Sequence, residues 1–191
     1  GVYGIFDASP EFVAKQLDCV FSDIFPDAVK IGMVSNSQII EVIANKLREY
    51  GAKNIVVDPV MVSTSESRLL ADGAQKSLVN TLIPAADIIT PNIPEAEALW
   101  GQNILCFDDV LSAARDIGER TGTAVLVKGG HAISPPDGAN RADDVLYSNG
   151  EIQIFSGIRI DNPNTHGTGC TLSSAIACNL AAGKSIWQSV Q

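Results

Sequence analysis

Glycines, hydroxyls and a thiol are grouped in Asn164-Thr165-His166-Gly167-Thr168-Gly169-Cys170-Thr171-Leu172, a combination that suits a phosphate-binding turn carrying a reactive sulfur. Gly167 and Gly169 let the backbone turn tightly and approach a ligand. A helix beginning near Thr168 would aim free N–H groups and its positive dipole end at that ligand, which favours an anion. The same field suits a thiolate, making Cys170, in the first helical turn, a candidate base or nucleophile. A bare G-x-G is weak evidence alone, and its plain reading is loop punctuation beside a small buried cysteine.

Four further segments shift the balance toward chemistry. They are Lys30-Ile31-Gly32-Met33, Val57-Asp58-Pro59-Val60-Met61, Thr90-Pro91-Asn92-Ile93-Pro94-Glu95 and Val127-Lys128-Gly129-Gly130-His131. Each closes a short apolar run, and ligands of open α/β sheets bind outside the carboxyl ends of the strands. Each also has a purely structural account. Asp58 could be a strand end fixed in extended conformation by Pro59, and Asn92-x-x-Glu95 is a sound capping pair. Lys128 could carry its head to water, and His131 is read as a loop histidine.

The elements that must hold these residues alternate. Ser9-Pro10 reads as N-cap and first residue of a helix with Val13, Leu17, Val20, Phe21 and Ile24 at helical spacing. A strand is expected over Val29–Gly32, then a capping box Ser35-x-x-Gln38 opening a helix that stops at Gly51. Ile55-Val56-Val57 does not alternate in polarity, as expected of a strand buried on both faces of a parallel sheet. A capped helix from Asp72 toward Leu82, a strand over Asp87–Thr90, helices over Glu95–Trp100 and Asp108–Arg120 and a strand over Ala124–Lys128 continue the pattern. Asn149-Gly150, flanked by strands expected over Asp144–Tyr147 and Glu151–Ser156, is a hairpin signal, and an Ala-rich helix follows the Gly-Thr-Gly-Cys turn up to Gly183. The fold class is α/β, doubly wound, with a mostly parallel sheet flanked by helices in three layers.

Composition narrows the function. The 191 residues with 46% hydrophobic content suffice for one domain with a sizeable core. A net charge of −9 and no basic run argue against a nucleic-acid partner. Neither a signal peptide nor a membrane span is evident, and Cys19, Cys106, Cys170 and Cys178 show no disulfide-scaffold spacing, so a reducing cytoplasm is expected.

Taken together, Lys-Ile-Gly-Met, Asp-Pro-Val-Met, Thr-Pro-Asn-x-x-Glu-Ala, Val-Lys-Gly-Gly-His and Thr-His-Gly-Thr-Gly-Cys resemble the ribokinase-type small-molecule kinases. Within them they resemble the hydroxymethylpyrimidine/phosphomethylpyrimidine kinases of thiamine biosynthesis. The branch marker is Cys170, since most ribokinase-type enzymes carry Asp there as catalytic base. The resemblance implies that Cys170 takes the proton of the substrate hydroxymethyl group while Gly167, Thr168 and Gly169 form the anion hole. It implies that Asn92, Glu95, Lys128 and Asp58 handle ATP phosphates, that Asp58 and Glu95 hold Mg²⁺ through water, and that Met33 and Val60 line the pyrimidine pocket. The expected substrates are ATP and the pyrimidine, and the expected assembly is a homodimer. Thr64-Ser65-Glu66 departs from the pattern, with Glu66 where the resemblance has glycine. The resemblance also leads one to expect a strand and substrate segment before Gly1 and helices after Gln191. A pyridoxal kinase-like enzyme and a non-catalytic pyrimidine-binding domain are the alternatives.

Overall fold

Capped amphipathic stretches and short apolar runs alternate along the chain, and each becomes a helix or a strand. The computed structural model describes residues 6–34, 36–61, 73–129, 133, 141–160, 162 and 167–191. The expectations placed on His131, on Thr64 to Glu66, on Asp72 and on Asn164 to His166 lie outside these residues.

Helix α1 (Pro10–Asp23) starts as its sequence predicts: the Ser9 hydroxyl accepts from the Phe12 N–H and Pro10 occupies the first helical position. Helix α2 (Ser37–Tyr50) departs by one residue. Its N-cap is Asn36, whose Oδ1 accepts from the Ile39 N–H at 2.9 Å, in place of the expected Ser35 capping box. Asparagine is among the best caps, and its amide oxygen takes the N–H three residues on. Gly51, at φ 62°, closes the helix in the left-handed region.

The expected single helix toward Leu82 is instead a composite. A turn of α3 (Ala74–Ser77) widens into a π-helical turn over Leu78–Leu82, where the Ile83 N–H reaches the Leu78 carbonyl, and tightens into a 3₁₀ turn over Ile83–Ala85. Gly73 caps it without a side-chain bond. Pro84 supplies a reason: it has no N–H to donate and its ring crowds the carbonyl four residues earlier, so a regular α-helix cannot run through it. Helices α4 (Ile93–Trp100), α5 (Phe107–Thr121), α6 (Thr168–Ala181) and α7 (Ile186–Val190) complete the set among the described residues.

Strands β1 (Val29–Ile31), β2 (Ile55–Val57), β3 (Ile88–Ile89) and β4 (Ala124–Val127) pair in parallel, and β5 (Arg141–Ser148) and β6 (Glu151–Ile158) add antiparallel, in the order β1-β2-β3-β4-β5-β6. Asn149 at φ 52° and Gly150 at φ 85° make the hairpin between β5 and β6, both in the left-handed region that a type I′ turn demands. Both faces of the sheet are covered. Ile55, Val57, Ile89, Val125 and Val127 pack in one cluster with Ile40, Leu47, Ala113 and Ile117 of α2 and α5. Val56, Ile88, Leu126 and Leu146 pack in another with Ile176, Ala177 and Leu180 of α6, which α7 joins through Ile186, Trp187 and Val190. The unbroken apolar run of β2 is thus explained, since Ile55, Val56 and Val57 are all buried.

Candidate active site

Side chains alternate across a strand, so a residue two places beyond a core residue sits on the same face. Val56, Ile88 and Leu126 are wholly buried against α6. Asp58, Thr90 and Lys128 therefore rise one step above that apolar row, on the α6 side, at the carboxyl ends of β2, β3 and β4. The first turn of α6 closes over them.

Asp58 is the centre of the arrangement. Its side chain is only 3% exposed, and Lys128 Nζ donates to its Oδ1 at 2.9 Å. The hydroxyl of wholly buried Thr90 donates to the same oxygen at 3.2 Å, and Cys170 Sγ donates to Oδ2 at 3.5 Å. A buried carboxylate is tolerated only when paired and hydrogen-bonded, and these three donors meet that condition. The backbone of Asp58 is held too, its N–H donating to the Ile31 carbonyl at 2.8 Å.

Gly169 brings α6 against this pair. A Cβ there would sit 3.0 Å from Lys128 Nζ and 4.0 Å from Asp58 Oδ2. Gly167, at φ 86°, begins the helix with no side chain capping it. The positive end of a 14-residue helix is therefore aimed at the same place as the lysine ammonium. Cys170 is exposed, so a molecule bound at this end of the sheet could reach its sulfur.

The Asn92-x-x-Glu95 pair forms a reciprocal capping box at α4. Asn92 Oδ1 accepts from the Glu95 N–H at 2.9 Å, and Glu95 Oε2 accepts from the Asn92 N–H at 2.8 Å. The structural account of this pair is correct, and it leaves room for chemistry. Glu95 is 3% exposed, and burial pushes its carboxyl up to about 7 from an ordinary 4.5. The Asn92 N–H, the Lys128 ammonium and the Met61 N–H oppose that push, while the charge on Asp58 adds to it. Asn92 pairs with Lys128 in an isolated parallel bridge, and the Lys128 N–H donates to the Pro91 carbonyl at 2.9 Å.

The structure thus brings together Asp58, Asn92, Glu95, Lys128, Gly169 and Cys170, with Gly167 and Thr168 leading into Gly169. Val60 is half-buried beside them, its N–H donating to the Asp58 carbonyl at 2.8 Å. Met33 follows β1 at the same end of the sheet and is 44% exposed. Thr90 was not among the residues singled out from sequence. Its signal was a hydroxyl closing an apolar two-residue strand, two places past a residue that must be core.

Among the described residues no three His, Cys, Asp or Glu side chains cluster as a metal cage. Asp58 and Glu95 are the two carboxylates close enough to influence each other here. Two carboxylates suit a magnesium ion that takes its remaining ligands from phosphate and water. Glu95, charged only at a cost in its buried position, fits a cation better than Asp58, whose Oδ1 is already committed to Lys128.

An α/β sheet that brings a lysine–carboxylate pair, a helix N-terminus and a thiol together at one end has the groups that phosphoryl transfer to a small acceptor requires. Comparison with known proteins gives the family. A family model described as phosphomethylpyrimidine kinase matches residues 1–191. The hydroxymethylpyrimidine/phosphomethylpyrimidine kinase of Bacillus subtilis is 39% identical over 191 residues, which are 100% of this chain and 69% of that protein. The thiamine biosynthesis bifunctional protein ThiED of Geobacter sulfurreducens is 44% identical over 190 residues, and the chain spans 38% of its length. Among solved structures, phosphomethylpyrimidine kinase from Clostridium difficile matches with a TM-score of 0.83 at 40% identity, covering 100% of this chain and 75% of that one. An ADP complex of Bacillus subtilis pyridoxal kinase matches with a TM-score of 0.86 at 33% identity, over 98% and 68%. The chain belongs to the phosphomethylpyrimidine kinase family, and its fold is ribokinase-like.

Proposed function

We propose that the protein of which these residues are part phosphorylates 4-amino-5-hydroxymethyl-2-methylpyrimidine with ATP, and then phosphorylates the monophosphate to the diphosphate, as a step in thiamine synthesis. The observation that carries this reading is the cluster of Asp58, Lys128 and Cys170 against the bare Cα of Gly169. Phosphoryl transfer asks the protein for positioning and for positive groups where charge develops. Lys128 and the α6 N-terminus supply the positive groups. Cys170 would take the proton of the acceptor hydroxyl as a thiolate, having passed its own proton to Asp58 Oδ2, to which its Sγ–H donates. Glu95, with Asp58 through water, would hold magnesium. When bound, the ion supplies charge neutralisation on the transferring phosphates.

Met33 and Val60 are proposed to line the pyrimidine pocket. The likeness to the pyridoxal kinase of Bacillus subtilis makes pyridoxal the competing acceptor, because it too is a flat heteroaromatic with a hydroxymethyl group. The test is product analysis by mass spectrometry after mixing the full-length protein with ATP, Mg²⁺ and the pyrimidine, its monophosphate or pyridoxal. Two successive phosphorylations of the pyrimidine are expected. Turnover of pyridoxal alone, or of none of the three, would overturn the proposal.

A further inference from the structure

Lys128 must hold its ammonium at one place, yet it stands just past the end of strand β4. Val127 pairs with Val145 in the last step of the β4–β5 ladder. One step further, antiparallel register sets Lys128 across from Asp144, and Gly129 across from Asp143. On the β3 side, Lys128 is tied by its N–H to the Pro91 carbonyl. On the β5 side the next tie is a side chain, since the Gly129 N–H donates to Asp144 Oδ1 at 2.7 Å.

Gly129 makes this bond possible. A Cβ at that position would lie 1.9 Å from the Asp143 carbonyl oxygen, 2.6 Å from its carbon and 3.0 Å from the Asp143 nitrogen. All three are backbone atoms that cannot step aside, so only glycine lets the chain lie flat on β5 within reach of a short carboxylate. Asp143, by contrast, turns its side chain to Arg141, with Oδ1 at 3.2 Å. Asp144 thus has the strand end as its partner, while the Lys128 ammonium donates to Asp58.

We infer that Asp144 is a positioning residue, which clamps the β4 strand end through the Gly129 N–H and thereby sets where Lys128 presents its ammonium to a bound phosphate. Burial pushes the Asp144 carboxyl up, while the Gly129 N–H and the Lys128 charge pull it down, so the group lies within the field of the lysine it serves. The inference rests on the proposed kinase reading in so far as Lys128 meets nucleotide phosphates.

The test uses the full-length protein with the non-hydrolysable nucleotide AMP-PCP, and separately with ATP and the pyrimidine. In Asp144→Ala, AMP-PCP affinity should fall about tenfold and kcat about 10- to 100-fold, the scale of a slight misplacement at a reacting centre, with KM for the pyrimidine within about twofold. Asp144→Asn keeps an oxygen that can accept from Gly129 and should recover most of both losses. Asp144→Ser is too short to reach and should resemble alanine, which keeps the test open if the alanine variant does not fold. Because Asp144 acts through Lys128, Lys128→Ala combined with Asp144→Ala should be no worse than Lys128→Ala alone. Unchanged AMP-PCP affinity in Asp144→Ala, an asparagine variant as impaired as alanine, or additive losses in the double variant would each overturn the inference. If the unaltered protein binds AMP-PCP but phosphorylates no pyrimidine, the functional proposal fails, and the AMP-PCP measurements still decide the role of Asp144. An unaltered protein that binds no nucleotide would overturn both.

Discussion

Replacing Gly169 by alanine separates a glycine kept for helix geometry from one kept for the site. The new methyl carbon would stand 3.0 Å from Lys128 Nζ and 3.7 Å from its Cε. Comfortable contact begins near 3.5 Å, so the ammonium must retreat by roughly half an ångström from its place beside Asp58. The obstacle is the flexible end of a side chain, so folding is barely affected. Gly169 lies inside α6 with no left-handed φ, and alanine is the better helix former by up to about 1 kcal/mol. The expected Tm is therefore unchanged or raised by about 2–4 °C for a domain of this size. Activity should move the other way. Displacing a phosphate-binding cation and narrowing the anion site should lower kcat/KM for ATP by about 10- to 100-fold, or roughly 1.4–2.8 kcal/mol of transition-state stabilisation. Thermal unfolding and steady-state kinetics on one preparation read both effects. A variant that is more stable and fully active would refute the placement of phosphate beside Gly169.

Three further predictions follow from other residues. Cys170→Ala should lose about 10²- to 10⁴-fold in phosphorylation of the free alcohol and much less with the monophosphate, which is already ionised at neutral pH; equal losses measured for the two acceptors would rule out a base role. For Glu95, the folded chain retains a proton up to about pH 7 while the unfolded chain releases it near 4.5, so ionisation costs the native state stability as pH rises through that interval. Glu95→Gln, which can keep the capping bond, should become more stable than the unaltered protein by an amount growing to about 3 kcal/mol between pH 4.5 and 7. Denaturant titrations giving a pH-independent difference would contradict this. Asn36→Ala should cost about 1 kcal/mol through loss of the α2 cap, with kcat unaltered; a stability equal to that of the parent would return the cap to Ser35.

What could be read from sequence was whatever local chemistry decides. The Ser9 and Asn92 caps, the Asn149-Gly150 hairpin and the doubly buried β2 each follow from a few adjacent residues, and each stands as expected. The Ser35 cap was misplaced by one residue because two good cap formers stand side by side, and only the backbone decides between them. The π turn before Pro84 was illegible because the apolar spacing of Leu78, Leu82 and Ile83 is that of an ordinary helix. In the site, Asp58, Glu95, Lys128 and Cys170 could be proposed one at a time from strand ends and a glycine turn. Their joint geometry could not. That Asp58 binds Lys128 and Cys170 at once depends on parallel register and on how closely Gly169 lets α6 approach, and neither is encoded in any short segment. The parts played by Thr90 and Asp144 were illegible for the same reason, since their partners are set by the sheet.

The succession of strands in space has a consequence for how the molecule comes into being. Every described strand lies next to the one before it in sequence, so the sheet can lengthen strand by strand as the chain leaves the ribosome, with no earlier gap to be filled by a later strand. Asp58, Thr90 and Lys128 would be aligned by that growth, while Cys170 lies 112 positions after Asp58 and arrives only with α6. A nascent chain would thus own an ordered scaffold well before it owned a reactive centre. Ribosome-bound chains stalled with β5 outside the exit tunnel and α6 still inside it should resist proteases over β2 to β5 while having no capacity to transfer phosphate.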